Sequence, residues 1–286
     1  MTARTKGIAA IVASAFGFAL MAAFVRLADD YGAPISSFQK GFFRNVVALG
    51  IALAVFLRRE HKVRTRLSAR TLLLLLLRST LGTCGIFANF YALGLVPIAD
   101  GQTLNKTAPF FTVAFAWLFL GEKASLRQVG ALALAFAGVV FVAKPGFAGA
   151  AAFPLAVGLF GGACAGSAYA CVRALRKHEV DPAFIVVFFS AFSCLASVPF
   201  MVVHFDPMTW AQVAILFGAG AGAAIGQFGI TAAYGYAAPR DIAVYDYSNI
   251  VFTAALGFML FGQVPDAWSI LGFVLIVAAA FRLHRA

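Results

Sequence analysis

Apolar residues form ten long runs along the chain, which turn residues and charges separate from one another. Each run approaches the roughly 20 residues that a helix needs to cross the hydrocarbon core of a bilayer. The sequence therefore predicts an all-α membrane protein with ten transmembrane helices. The expected spans are residues 7–27, 38–57, 71–95, 101–120, 126–143, 154–172, 182–203, 209–236, 241–261 and 266–282.

Composition agrees with this pattern and excludes a soluble protein. Of the 286 residues, 62% are hydrophobic and only 12% are charged, and the mean hydropathy is +0.91. A soluble domain has about 25% charged residues. The first apolar run follows Arg4 and Lys6, as in a signal peptide, but it exceeds the roughly 7–15 residues of a signal core. We therefore predict that it is the first membrane helix.

The basic residues predict the orientation of the spans. With the amino terminus inside, sixteen of the 22 Lys and Arg residues fall in cytoplasmic segments, whereas only Lys144 falls on the opposite side. The positive-inside rule then places both termini in the cytoplasm, and we expect the plasma (inner) membrane as the location. The net charge of +11 is explained by this topology and by anionic lipid, so nucleic acid is not an expected partner.

An internal repeat divides the chain into two units. The twelve residues from Phe111 to Glu122 and from Phe252 to Gln263 are identical at four positions, and both stretches end the fourth span of a five-span half. Because five is odd, the second half enters the membrane from the opposite side. We therefore predict two inverted five-helix repeats, residues 1–147 and 148–286, with alternating access to a site near the midplane.

These landmarks resemble the drug/metabolite transporter superfamily, EamA type, over nearly the whole chain. The features that carry the resemblance are the two halves, Phe42–Asn45 in the second span, Pro109, the Gly121–Glu122 pair and Gly130. The second half departs from the pattern, with Ile250 in place of the proline and Gln263 in place of the acid. The resemblance implies transport of small organic metabolites, commonly amino acids and their derivatives.

Four ionisable residues lie deep within predicted spans. A charge inside a bilayer costs about 2.5–3.5 kcal/mol, so such groups are functional candidates. Arg44 and Lys106 are expected roughly 9 Å below the outer surface, and Arg78 and Asp246 roughly 8–10 Å above the inner one. We predict that Arg44 and Lys106 bind an anionic substrate group. Arg78 and Asp246 are predicted to form an ion pair, either structural or a gate, with Asp246 the candidate for proton coupling.

Three interior cations against one acid favour a zwitterionic or anionic substrate, with amino acids expected first. Repeat symmetry makes Asn105 and Lys106 the counterparts of Asp246 and Tyr247, so both pairs are expected to face one axis. Each polar candidate also has an alternative role in helix packing. The candidate substrate-binding residues are Arg44, Asn89, Tyr91, Gln102, Asn105, Lys106, Tyr169, Tyr245, Tyr247 and Asn249.

Other functions remain as alternatives. The substrate could be nucleoside-like, S-adenosylmethionine-like or a drug, or the chain could be a membrane-embedded enzyme or a non-transporting subunit. No Ser–His, Cys–His or paired-carboxylate constellation is visible, so we do not expect an enzyme. The four Cys and four His residues lack metal-ligand spacing, and neither a metal nor a cofactor is expected. The glycine faces of spans six and eight are expected to pack within the chain, which predicts a monomer in lipid.

Overall fold

The computed structural model describes residues 2–58, 68–93, 103–144, 152–203 and 205–284, and these residues form helices with no strand among them. The boundary predicted between residues 147 and 148 lies outside the described residues. The principal helices are α1 (Ala3–Ala28), α2 (Ser37–Leu57), α3 (Ala69–Leu93), α4 (Ala108–Leu120), α5 (Leu126–Ala143), α6 (Ala152–Lys177), α7 (Pro182–Val203), α8 (Trp210–Tyr236), α9 (Ser248–Phe261) and α10 (Ala267–His284).

Nine helical segments of the described chain are long and apolar enough to cross a membrane. Their outward surfaces carry large apolar side chains, such as Leu118 and Met259, which are more than two-thirds exposed. In water such a surface would be unfavourable, whereas in a bilayer it contacts acyl chains. The chain is therefore a multi-pass integral membrane protein. The remaining helix, α4, has 13 residues and is too short to be counted among the nine.

The fourth span is interrupted, which differs from the continuous helix predicted over residues 101–120. Residues 103–105 are helical, a turn follows at Lys106 and Thr107, and α4 begins only at Ala108. The Thr107 hydroxyl and amide both donate to the Leu104 carbonyl, at 2.5 and 3.1 Å. Pro109 has no amide hydrogen and so cannot continue the ladder. Local hydrogen bonding and proline together break the helix at this point.

A similar irregularity precedes α9. A short helical turn at Pro239–Ile242 leads into a 3₁₀ segment at Ala243–Tyr247, and the α-helix begins at Ser248. Both α4 and α9 end on a glycine in the left-handed conformation, Gly121 at φ 68° and Gly262 at φ 64°. Other residues adopt this conformation at a cost, which explains the glycine in each predicted repeat.

Glycine contacts bring several helix pairs together at backbone distance. A Cβ on Gly17 of α1 would lie 2.6 Å from the Gly226 amide nitrogen of α8, and one on Gly138 of α5 would lie 2.6 Å from the Gly272 carbonyl oxygen of α10. Other helices in contact are α3 with α6, α2 with α7, α4 with α6, and α1 with α9. The glycine faces predicted in spans six and eight thus pack within the chain.

Candidate functional site

The interruptions before α4 and α9 lie against each other and bring four of the predicted site residues together. Lys106 Nζ donates to Asn249 Oδ1 at 2.5 Å, and the Tyr247 hydroxyl donates to the Lys106 carbonyl at 3.1 Å. The charge of Asp246 acts on the Lys106 ammonium group. Asn249 also donates from Nδ2 to the Ala15 carbonyl of α1 at 2.9 Å. Broken helices expose backbone groups that a continuous helix would use internally, which allows this arrangement.

A second buried polar region contains two arginines. Arg44 of α2 and Arg78 of α3 are 8% and 2% exposed, and the two positive charges are close enough to act on each other. Arg78 donates from Nη2 to Gln227 Oε1 at 2.9 Å, and its guanidinium carbon lies 4.0 Å from the ring centroid of Phe189. We name Arg44 and Arg78, with the polar side chains around them, the arginine chamber.

Two polar atoms of the arginine chamber, Nε of Arg44 and Nε of Arg78, have no hydrogen-bond partner within the described chain. The buried hydroxyls of Ser79 and Thr83, on the same helix as Arg78, and of Ser190, next to Phe189 in the sequence, also lack a partner there. Asn45, next to Arg44, donates from Nδ2 to the Ser193 hydroxyl at 2.9 Å and so joins α2 to α7. Buried polar groups are nearly always satisfied, so unpartnered ones indicate a place where a ligand or water binds.

The Tyr169 hydroxyl of α6 interacts electrostatically with residues of both regions, namely Arg44, Arg78 and Asp246. The Tyr169 ring packs against the ring of Tyr234 of α8, with centroids 6.0 Å apart. Tyr169, a weaker candidate in the sequence, therefore interacts with both polar regions.

The predicted ion pair between Arg78 and Asp246 is not formed among the described residues. Arg78 instead contacts Gln227 and Phe189, and Asp246 lies near Lys106. The prediction used depth along straight helices alone. Depth does not give the direction in which a side chain leaves its helix, and the breaks before α4 and α9 alter that direction. The common depth expected for Arg44 and Lys106 stays a prediction, and the charge of Arg44 acts on Arg78.

Three other predicted residues have less direct relations to these regions, and a fourth lies outside the described residues. Asn105 is half-buried beside Lys106, and Asn89 lies on α3 where it packs closely against Gly161 of α6. Tyr91 is 48% exposed and packs edge-on against Phe153. Gln102 lies outside the described residues.

Tyr245 points away from the buried polar regions. Its hydroxyl donates to the Ala280 carbonyl of α10 at 3.2 Å. Its ring lines a largely apolar groove of about 350 Å³ between α9 and α10, with Phe252 and Ile276 among the other lining residues. Within the 3₁₀ segment, neighbouring side chains leave in different directions, so Tyr245 contacts α10 while Tyr247 contacts Lys106. A substrate-binding role for Tyr245 stays a prediction.

Sequence reasoning missed several residues of the arginine chamber. Gln227 is a buried amide within an α8 segment of small and apolar residues, a signal that could have identified it. Asn45 was part of the stretch quoted for the resemblance but was not assigned a role. Phe189 carries no signal of its own, because Phe is common throughout apolar helices.

A charged cluster lies at the end of α4 remote from Lys106. Glu122 Oε1 accepts from Arg173 Nη2 at 2.9 Å and from Lys177 Nζ at 2.6 Å, and Arg173 also donates to the Tyr234 carbonyl at 3.0 Å. Burial alone would raise the pKa of Glu122, but the hydrogen bonds from Lys177 and Arg173 outweigh it and lower the pKa below its ordinary value. The cluster joins the end of α4 to α6 and α8.

Comparisons with known proteins identify the family. A model of the EamA-like transporter family matches residues 5–144. The pseudopaline exporter of Pseudomonas aeruginosa is 32% identical over 283 residues, which cover 98% of this chain and 96% of that protein. The riboflavin transporter of Vibrio cholerae is 29% identical, covering 86% of this chain and 84% of that protein. A solved crystal structure has a similar fold, with a TM-score of 0.73 at 20% identity, covering 94% of this chain and 95% of that chain. The chain belongs to the EamA-like transporter family of the drug/metabolite transporter superfamily and is a membrane transporter of small metabolites.

Proposed function

We propose that this protein is a secondary transporter of small zwitterionic or anionic organic solutes, amino acids first, in the plasma (inner) membrane. It works by alternating access between two inverted five-helix units, residues 1–147 and 148–286, with both termini cytoplasmic and the substrate site between the units. The observation that carries the proposal is the buried pair Arg44 and Arg78, whose Nε atoms have no partner within the described chain.

The pattern of helix contacts supports the inverted layout. In the predicted repeat, α1 to α5 correspond to α6 to α10. The contact of α1 with α8 then has its counterpart in that of α6 with α3, and the contact of α4 with α6 in that of α9 with α1. Both α2 with α7 and α5 with α10 pair a helix with its own counterpart. A two-fold axis produces this reciprocity. The family match to residues 5–144 nearly coincides with the first unit.

Both units contribute residues to the arginine chamber, which supports a site between the units. Arg44 and Arg78 belong to the first unit, whereas Phe189 and Gln227, which contact Arg78, belong to the second. Rocking of one unit against the other would change the contacts of Arg78 with these residues. A substrate bound there would therefore be exposed to each side of the membrane in turn.

Asp246 is the proposed site of proton coupling. It is an acidic residue within a membrane-spanning segment, and its nearby charge partner is Lys106. Protonation of Asp246 would leave the Lys106 charge uncompensated and change its interaction with Asn249. The relatives are named as transporters, which favours transport over a membrane-embedded enzyme or a non-transporting subunit.

The test is uptake and efflux in proteoliposomes, with and without a pH gradient. The panel contains labelled amino acids together with pseudopaline, riboflavin and S-adenosylmethionine, which represent the relatives and the alternative substrates. We expect an amino acid or another carboxylate-bearing solute to move. Transport of riboflavin alone would contradict the substrate proposal, and movement of no solute would contradict the transport function for this panel.

Matched variants test the roles of the two regions. Arg44→Gln should reduce transport at least ten-fold, whereas Arg127→Gln, at an exposed arginine, should not. Asp246→Asn should abolish the effect of the pH gradient, whereas Asp266→Asn, at the exposed partner of Lys144, should preserve it. A pH effect that survives Asp246→Asn contradicts proton coupling through this residue.

A further inference from the structure

The two charged regions of the site differ in whether their positive charges are compensated by a negative charge. Lys106 has a carboxylate nearby in Asp246 and a direct acceptor in Asn249. One positive and one negative charge therefore offset each other at that end. A substrate anion bound to Lys106 would have to compete with an acceptor that is already in place.

The positive charges of the arginine chamber have no such compensation. Within the described residues, no carboxylate forms an ion pair with Arg44 or Arg78, and the two guanidinium groups repel each other. Moving an unpaired charge out of water is unfavourable even after relaxation. Two such charges that act on each other are best compensated by two negative charges.

The position of Arg78 is fixed in a way that leaves part of its guanidinium group available. Its guanidinium carbon lies over the ring of Phe189, and Nη2 donates to Gln227. Gly82, one turn further along α3, provides the space, because a Cβ there would overlap Nη1 of Arg78. The Nε edge has no partner, and arginine binds carboxylates through such edges.

We propose, on the basis of the proposed transport function, that the arginine chamber binds a substrate with two carboxylate groups. Arg44 and Arg78 each contact one carboxylate, through the Nε edges that have no partner within the described chain. Solutes with one carboxylate leave one arginine uncompensated. They therefore bind more weakly than the corresponding diacids.

The first experiment measures binding to the purified full-length protein in detergent, by ligand-induced thermal shift. Two ligand pairs are compared, L-glutamate with L-glutamine and succinate with succinamate. Within each pair an amide of nearly the same shape replaces one carboxylate. We expect the diacid to bind at least ten-fold more tightly in at least one pair. Failure of both diacids to bind more tightly than their amides overturns the proposal.

The second experiment changes the charge of the chamber by substitution. Gln227→Glu places a carboxylate beside Arg78 with almost no change in side-chain shape, so it offsets one of the two positive charges. The preference for the diacid over its amide should fall to about two-fold or less. Gln263→Glu, at an exposed position outside the chamber, is the matched control and should retain the full preference. An unchanged preference in Gln227→Glu overturns the proposal.

These tests distinguish failure of the two-carboxylate proposal from failure of the proposed transport function. A protein that moves solutes in proteoliposomes but does not prefer diacids would refute the two-carboxylate site and leave the transport function standing. Conversely, preferred binding of a diacid by a protein that moves no solute would support the site and refute the transport function.

Discussion

The hydroxyl group of Tyr247 donates a hydrogen bond to the backbone carbonyl of Lys106 at 3.1 Å. These two residues are counterparts in the repeat that the sequence predicts. Residues that are related by a two-fold axis and also contact each other lie next to that axis. The contact therefore supports a proposed axis that passes between the beginnings of α4 and α9, beside Asn249 and Asp246.

Tyr247→Phe tests this contact. The change removes one buried hydrogen bond, and we expect it to lower the free energy of unfolding by about 0.5–1.5 kcal/mol. Transport should also fall, because the bond joins the two broken spans. Tyr245→Phe removes a bond of nearly the same length, to Ala280, but away from the buried polar regions. For Tyr245→Phe we expect a similar loss of stability, measured by thermal melts, but unchanged transport. Equal loss of transport in both variants would contradict a special role for Tyr247.

Gly82→Ala tests the space that Arg78 occupies. The added methyl group would overlap the guanidinium group and displace it from Gln227, so the apparent affinity for an anionic substrate should fall about ten-fold. The methyl group would also lie 2.8 Å from the ring of Phe189, so a thermal melt of the variant checks that the fold is retained. Gly50→Ala is the control, since a Cβ at Gly50 meets no atom within 4 Å. Substrate competition assays on both variants measure the difference.

Gly138→Ala tests the contact between α5 and α10. Its Cβ would lie 2.6 Å from the Gly272 carbonyl oxygen, and backbone cannot move aside as a side-chain end can. We expect destabilisation by about 1–3 kcal/mol. Gly130→Ala on the same helix adds a methyl group where no atom lies within 4 Å. That variant should melt at the wild-type temperature or above it. A similar loss of stability in Gly138→Ala and Gly130→Ala would refute the close approach of α5 to α10.

Glu122→Gln tests the charged cluster at the end of α4. The folded-state pKa of Glu122 is lowered, so its ionised form stabilises the protein above the ordinary carboxyl pKa of about 4.3. This contribution is lost as the pH falls through the folded pKa. Between neutral pH and about pH 3, the melting temperature should therefore change less with pH in Glu122→Gln than in wild type. The same pH dependence in wild type and variant would show that other carboxyl groups cause it.

Two parts of the site could be predicted to different extents. The residues Lys106, Asp246, Tyr247 and Asn249 were identified from the sequence because polar groups inside apolar spans are costly and therefore conspicuous. Repeat symmetry predicted that Lys106 faces the same axis as Asp246 and Tyr247, whereas the depth argument paired Asp246 with Arg78. The arginine chamber was not predicted, because the depth argument placed Arg44 and Arg78 in opposite halves of the membrane. Gln227 belongs to the chamber through a contact between helices that no periodicity reveals.

The sequence by itself determined that the chain enters a membrane, because hydropathy depends on composition and run length alone. It also identified the family and most of the buried ionisable groups. Only the tertiary structure decided which charges are neighbours. Arg78 lies with Arg44 and Asp246 with Lys106 because broken spans, glycine contacts and side-chain direction set these neighbours. Depth along an ideal helix contains no information about rotation around its axis, and rotation determines which side chains meet.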